Sequence, residues 1–349
     1  MNCDIKIKNV SNFYGRPIYY INKPIPLMGH IAFGLIDRGT NIIQVRPIST
    51  CFHNCIFCSV DSGPNSKFRT SEYIVDEEWL FEWIKNIASI KNDEIEVLVD
   101  GVGEPIMHPK IIKLISLIKK IPNVYSIAIE THGGSLSLPL AKKLDKAGLN
   151  RINLSIDSYT KEKARYLAGV EWYNSLKILK IASDIIKETN IDIVLTPVVI
   201  PEENEDEMRY LIEWAKENKA GVKSNYPTGI LIQKFEIHHF GRKPKKIKPW
   251  SWQRFYSWLK YLENEYDYKL LVKPEDLGFK KSVKIDEPFH VNDKIKIKIV
   301  GIGWLKNEYL GVDENCIRVI SVISKEKINN STIKAKIIRD KDNIFVARL

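Results

Sequence analysis

Hydrophobic positions recur with a strand period and a helix period in turn over almost two hundred residues. A turn at Asp37-Arg38-Gly39-Thr40 separates the apolar runs Ile31–Ile36 and Asn41–Val45, which predicts two strands. Trp79, Leu80, Trp83, Ile84 and Ile87 then share one helical face ahead of the strand Ile95–Val99. The alternation continues with a helix through Ile111–Ile121, a strand at Val124–Ile129, a helix around Leu138–Ala147 and a strand at Ile152–Ile156. A helix near Tyr173–Lys187, a strand at Ile191–Thr196, a helix at Glu203–Asn218 and a last strand, Gly229–Phe235, complete it. Strands and helices alternating at this spacing predict right-handed crossovers and a parallel sheet. Six such strands are too few for a closed eight-unit barrel, so the expected fold is α/β, a partial (βα)6 parallel barrel that stays curved and partly open.

The flanks read differently. Residues 1–40 read as a short extended lead-in, with Pro24 and Pro26 breaking any helix. From about residue 270 the pattern changes to short strands, Lys294–Val300, Cys316–Ser324, Thr332–Ile338 and Asn343–Ala347, which predict a small antiparallel β-barrel. The expected layout is an N-terminal extension over 1–40, the partial barrel over 41–240, a basic linker and helix over 241–268, and the β-barrel over 269–349.

Composition adds direction. The 349 residues are 44% apolar and 28% charged, with a formal charge of +10, which favours anionic partners, nucleic acid first. There is no run of 18 apolar residues and no signal-like N-terminus, so the expectation is a cytoplasmic protein; unpaired cysteines fit a reducing compartment. In Arg242–Lys248 five of seven residues are basic, and Trp250 and Trp252 follow. This segment suits phosphate contact and base stacking. The other reading is a solvated linker into a helix whose Trp252, Phe255, Trp258 and Leu259 pack inwards.

Polar residues gather at the C-terminal ends of the predicted strands, where parallel sheets bind ligands. They are Asp100-Gly101-Val102-Gly103-Glu104-Pro105, Glu130-Thr131-His132-Gly133-Gly134, Ser155-Ile156-Asp157-Ser158, Thr196 and Glu236. The sharpest signal is Cys51-Phe52-His53-Asn54-Cys55-Ile56-Phe57-Cys58, which holds three of only five cysteines in eight residues. Three thiolates on one loop are able to hold three irons of a four-iron cluster and leave the fourth open for chemistry. A zinc turn is the alternative, although no second pair of ligands follows.

The loop matches the C-x3-C-x-aromatic-C motif, and residues 40–240 resemble the radical S-adenosylmethionine (SAM) superfamily. The resemblance implies that Cys51, Cys55 and Cys58 bind a [4Fe–4S] cluster whose open iron chelates SAM. Gly101, Gly103, Glu104 and Pro105 are similar to the segment that receives the SAM amino group, with Val102 replacing a glycine. Thr131-His132-Gly133 is similar to the T-N-G after the third strand, and Ser155 and Asp157 stand where polar groups reach the SAM ribose or carboxylate. Phe57 and Glu130 are further cofactor-binding candidates. Asp157 also reads as a helix N-cap, Phe57 as core packing, and Glu130 and His132 as rim residues.

The chemistry implied is reductive cleavage of SAM to methionine and a 5′-deoxyadenosyl radical that takes a hydrogen atom from substrate, with an electron donor such as a ferredoxin or flavodoxin. With only Cys3 and Cys316 left over, an auxiliary thiolate-ligated cluster is not expected. Cys316 reads as a free core thiol in preference to a methyl-carrying nucleophile. The C-terminal strands are similar to a TRAM domain, an oligonucleotide/oligosaccharide-binding-like barrel of RNA-modifying enzymes, so the expected substrate is structured RNA, tRNA first. A small cofactor precursor or partner protein is the second reading. The third is a non-enzymatic RNA-binding protein with a structural metal.

Overall fold

The computed structural model describes residues 7–328 and 331–349. In chain order its elements begin β1 (Lys8–Phe13), β2 (Arg16–Ile21), β3 (Gly34–Asp37), β4 (Ile42–Arg46), β5 (Glu72–Val75), α1 (Glu77–Lys91), β6 (Ile95–Val99) and α2 (Ile111–Ile118). There follow β7 (Val124–Thr131), α3 (Leu138–Ala147), β8 (Arg151–Leu154), α4 (Lys161–Ala168), α5 (Ser175–Glu188), β9 (Asp192–Leu195), β10 (Val198–Val199), α6 (Glu207–Glu217) and β11 (Gln233–Lys234). The chain ends with α7 (Trp252–Tyr266), β12 (Lys294–Ile302), β13 (Glu308–Asp313), β14 (Val319–Ile323), β15 (Thr332–Arg339) and β16 (Val346–Arg348). Two compact units arise, one from residues 1–50, 66–125 and 281–349, the other from 51–65 and 126–280.

In the first unit β3 and β4 form the antiparallel pair expected around residues 37–40, and β4 runs parallel to β6. The lead-in is more ordered than its composition suggests. β1 and β2 pair antiparallel, and β2 lies parallel to β5. Five of the six β1 residues are exposed, so this strand carries almost no hydrophobic pattern, and only its pairing reveals it. Helix α1 starts at Asp76, whose carboxylate accepts from the Glu78 and Trp79 N–H groups, and it buries Leu80, Ile84, Ile87 and Ala88.

The C-terminal strands close into a five-stranded barrel in the order β12-β13-β14-β16-β15. Its pairs are antiparallel except β14–β16, which is parallel. Ile297, Ile320, Val322, Ile337 and Phe345 fill the interior. β13 escapes the sequence pattern because Gly311 interrupts it; a Cβ there would lie 2.3 Å from the Ile297 methyl group. The outer face is basic: Lys294 stands opposite Lys336, Lys296 opposite Lys334, and Lys336 also opposite Arg348. Cys316 is disulfide-bonded, which replaces the expected free thiol. Cys3 lies outside the described residues.

In the second unit β7, β8 and β9 run parallel, with Thr131, Leu154 and Leu195 in register. The segment 229–235 continues this arrangement. Leu231 N donates to Leu195 O, Gln233 N to Pro197 O and Phe235 N to Val199 O, so the sixth strand runs beside β9 and β10 although Pro197 interrupts the ladder. Helix α4 was not expected; its eight residues bury only Ala164, Leu167 and Ala168, too short a stripe to stand out. Helix α6 begins four residues later than expected. Asn204 uses its side chain locally instead, accepting from Ile200 N and donating to Asp157 O and Val198 O. No helix among the described residues is long and apolar enough to cross a membrane.

Candidate active site

The cysteine loop folds back on itself through Cys58 N to Cys55 O and Asp61 N to Cys58 O. It is pinned to the end of α4, because Asn54 N donates to Ala168 O and Ile56 N to Leu167 O. Gly169 makes that approach possible: at φ +63°, a Cβ there would lie 2.2 Å from Asn54 O. Behind the loop, Cys55 and Phe57 join Leu167, Ile200 and Phe235 in an apolar cluster, so the Phe57 ring packs as core. Ser62 N donates to the Cys58 thiol at 3.2 Å, and His53 Nδ1 lies 3.7 Å from Cys51 Sγ. His53 is buried among His132, Trp172 and Tyr173.

Arg242 closes the loop from far along the chain. Its Nε donates to Asp61 Oδ1 at 3.0 Å, and its Nη1 to Asn54 Oδ1 at 2.8 Å and Cys55 O at 2.9 Å. Its backbone N–H donates to Cys58 O. The residue that opens the basic run is therefore a clamp on the cysteine loop and not a solvated charge.

Burial pushes the Cys55 thiol well up, the neighbouring Cys58, Cys51 and Asp157 charges push it further, and Arg242 opposes them. Three thiolates in this setting need a cationic core to offset their repulsion and desolvation. An iron–sulfur cluster supplies one, so the residues fit the group.

The ends of β7, β8 and β9 form the adjoining rim of this unit. Ser155 N donates to Thr131 O, His132 Nδ1 lies 3.1 Å from Ser155 O, and the Ser155 and Thr196 hydroxyls are 3.1 Å apart. Asp157 is buried; its Oδ1 accepts from Val198 N at 2.9 Å. Burial raises its carboxyl above the usual range, opposed by His132 and by that backbone hydrogen bond. It does not cap α4: the preceding turn is held by Glu207, whose carboxylate accepts from Ser158 Oγ, Tyr159 N, Thr160 N and Thr160 Oγ1. Glu130, the penultimate residue of β7, is half-buried.

The Gly101–Pro105 turn belongs to the first unit. Glu104 N donates to Thr50 O, and Glu104 is buried. Gly103 passes so close to this backbone that a Cβ would lie 2.4 Å from Ser49 C and 2.5 Å from Thr50 O. Arg69 organises the turn. Its Nη2 donates to Val102 O, and its Nη1 to Ser49 O and Glu72 Oε2. Glu72 also takes Arg16 Nε and Ser49 Oγ. The barrel joins the same network: Trp304 lies under the Arg69 guanidinium at 4.7 Å. Thr70 and Ser71 hydroxyls donate to Gly303 O, and Tyr73 OH to Ile302 O.

The roles of Arg69, Arg242, Glu207 and the end of α4 had no signal in the sequence. Each acts on backbone far away along the chain, and no local pattern records that.

A parallel α/β fold with three thiols on a loop is the frame of an iron–sulfur enzyme. Residues 45–215 match the family model described as Radical SAM superfamily. The chain is 38% identical over 355 residues to an uncharacterized protein of Methanocaldococcus jannaschii, covering 96% of this chain and 81% of that one. It is 29% identical to a GTP 3′,8-cyclase of Campylobacter jejuni subsp. doylei over 54% of this chain and 56% of that enzyme, so it spans little more than half of that relative's length. The crystal structure of SuiB from Streptococcus suis bound to precursor peptide SuiA shares the fold at TM-score 0.50 and 15% identity, covering 67% of this chain and 48% of that one. Residues 45–215 are a radical SAM superfamily domain, and the protein is an enzyme of that type, binding a [4Fe–4S] cluster and SAM.

Proposed function

We propose that this enzyme modifies structured RNA, with tRNA the first case to test, and that the C-terminal barrel is a TRAM-like module holding the RNA backbone. The observation that carries this reading is the outer barrel face, where Lys294, Lys296, Lys334, Lys336 and Arg348 stand opposite one another across three strands. Like charges directly opposite on paired strands repel, and a row of phosphates relieves that repulsion. These strands offer no aromatic side chain on that face (KIKIKIVGI, TIKAKIIR, VAR), which favours backbone contact over base stacking.

In this reading Cys51, Cys55 and Cys58 hold the cluster, and Arg242 keeps their loop in one conformation. When bound, the cluster supplies the electron that cleaves SAM, delivered to it by a ferredoxin or flavodoxin. Glu104 would accept a hydrogen bond from the SAM ammonium, and Gly101, Gly103 and Pro105 would shape the turn that admits it. Ser155 and Asp157 would bond the ribose, with Glu130, near the end of β7, a further candidate. Trp304 and Arg69 tie the barrel to the turn that receives SAM.

A second reading, a nucleotide substrate of small size, is favoured by the likeness to GTP 3′,8-cyclases. One experiment separates the two: 5′-deoxyadenosine formation by anaerobically reconstituted, reduced enzyme with SAM alone, with bulk tRNA and with GTP. The RNA reading expects strong stimulation by tRNA that weakens with salt and falls in a Lys294→Gln, Lys296→Gln, Lys334→Gln, Lys336→Gln variant. Stimulation by GTP alone overturns it.

A further inference from the structure

Helix α7 turns Trp252, Tyr256 and Tyr261 outwards. Phe255, Leu259 and Leu262 fill its buried face, whereas Trp252 is 53% exposed and Tyr256, one turn on, is 51% exposed. This corrects the expectation that Trp252 packs inwards. The two rings stack on each other with centroids 5.6 Å apart and planes 25° from parallel, and Lys234 Nζ lies 4.8 Å from the Trp252 ring. Ile237, His238, His239 and Phe240 are exposed as well.

The charge around this stack is one-sided. Between Lys234 and Tyr256 there are seven Lys and Arg and a single Glu. Lys234 pairs with that Glu236, and Arg242 with Asp61. Lys243, Lys245, Lys246 and Lys248 are exposed, and among the described residues they form no ion pair. Arg254 covers the face of Trp250 at 4.8 Å.

We infer that the surface formed by residues 237–256 takes an unpaired stretch of RNA, its bases stacking on Trp252 and Tyr256 and its phosphates meeting Lys243, Lys245, Lys246 and Lys248. This rests on the RNA reading above and assigns a second surface to it. Exposed aromatic faces bind any base through its π-face, and interleaved lysines track the backbone. The contrast with the barrel is chemical: lysines without aromatics suit a continuous phosphate array, whereas lysines beside an exposed aromatic stack suit bases out of the helix. Position supports the assignment. Arg242 N donates to Cys58 O, and a Cβ on Gly241 would lie 2.9 Å from Ser59 O, so this surface runs directly onto the cysteine loop. Chemistry on a base requires that the base leave its stack.

The test uses the full chain, made anaerobically, and titrates a fluorescent single-stranded RNA of about 12 nucleotides, within the site size of such surfaces. A blunt RNA duplex, GTP, and vesicles containing phosphatidylserine serve as the other arms. For Trp252→Ala with Tyr256→Ala, the affinity for the single strand is expected to fall at least about 30-fold with the salt dependence unchanged, at about 1 kcal/mol or more for each of the two stacked bases. For Lys243→Gln, Lys245→Gln, Lys246→Gln, Lys248→Gln, the slope of log affinity against log salt should shrink by about 0.7 for each phosphate no longer neutralised. Duplex binding should survive both variants. Single-strand binding that neither variant changes overturns this surface and leaves the RNA reading standing. A wild-type chain that binds no RNA overturns both, and binding of GTP or vesicles alone overturns the RNA occupant.

Discussion

The cysteine loop and the Gly101–Pro105 turn are both short and both carry residues proposed above to hold the cofactors, yet they are held by opposite means. The cysteine loop rests on apolar packing against Leu167, Ile200 and Phe235, with Arg242 as a guanidinium clamp. The glycine turn rests on a buried ionic network, Arg16 and Arg69 around Glu72, with the Arg69 and Glu72 side chains wholly buried. Under the proposed assignment the difference follows from the cargo. Thiolates around a cationic cluster need a dry wall that does not compete for the metal, whereas a turn that receives an amino acid through its backbone needs carbonyls pinned at fixed positions. Arg69 pins two of them, Ser49 O and Val102 O.

That comparison breaks most visibly at the ligands. Cys55→Ser should abolish iron uptake and SAM cleavage while leaving the fold intact by circular dichroism; full iron in this variant would remove the cluster from the loop. Next in size is Arg69→Met, which leaves Glu72 buried with only Arg16 and Ser49. A loss of about 3–5 kcal/mol is expected in denaturant unfolding, partly recovered by adding Glu72→Gln. An Arg69→Met protein as stable as wild type would show that the ionic network does not hold the turn.

Gly103→Ala separates the two loops. Overpacking against Ser49 and Thr50 costs about 1–3 kcal/mol, so SAM affinity should fall about 5- to 150-fold with iron content unchanged. Equal loss of iron would mean that the two loops are held as one. Arg242→Gln is the converse: chelators should strip iron several-fold faster, with SAM affinity nearly unchanged. Loss of the Asp61 pairing should lower stability by about 1–3 kcal/mol.

The smallest effect is titratable. His30 stacks on Phe33 and edges onto Tyr73, whose N–H donates to Ser49 Oγ, so it lies beneath the glycine-turn network. Burial, with help from Arg46, holds its folded pKa down at about 3, whereas unfolded histidine titrates near 6.5. As pH falls below about 6.5 only the unfolded chain takes up the proton, and stability is lost progressively towards pH 3, by about 2 kcal/mol at pH 5. His30→Gln removes this term, so the melting-temperature gap between wild type and variant should narrow from pH 7 to pH 5. A constant gap would mean that His30 is not held neutral.

Much of this was legible beforehand. The C-x3-C-x2-C spacing, the polar strand ends and the strand–helix alternation lie within windows a few residues wide, and α3 spans the residues its periodicity assigned, between Ser137 and Gly148. β1 and α4 were not legible, because one is exposed and the other buries only three side chains. Nor was the outward turn of Trp252. Its apolar character said only that it would be covered by something, and Phe255, Leu259 and Leu262 already fill the buried face of the helix.

The sequence by itself determined the class of this enzyme, since residue type and spacing within one loop suffice to mark the family, and backbone periodicity suffices to build parallel strand–helix units. The tertiary structure decided how the two cofactor loops are held and which basic groups are open to a partner. Arg242 and Lys243 are neighbours in one basic run, yet one is consumed in clamping Asn54, Cys55 and Asp61 while the other faces solvent. A charge's role depends on what folding brings within about 3 Å of it, and that is a property of contacts between distant segments.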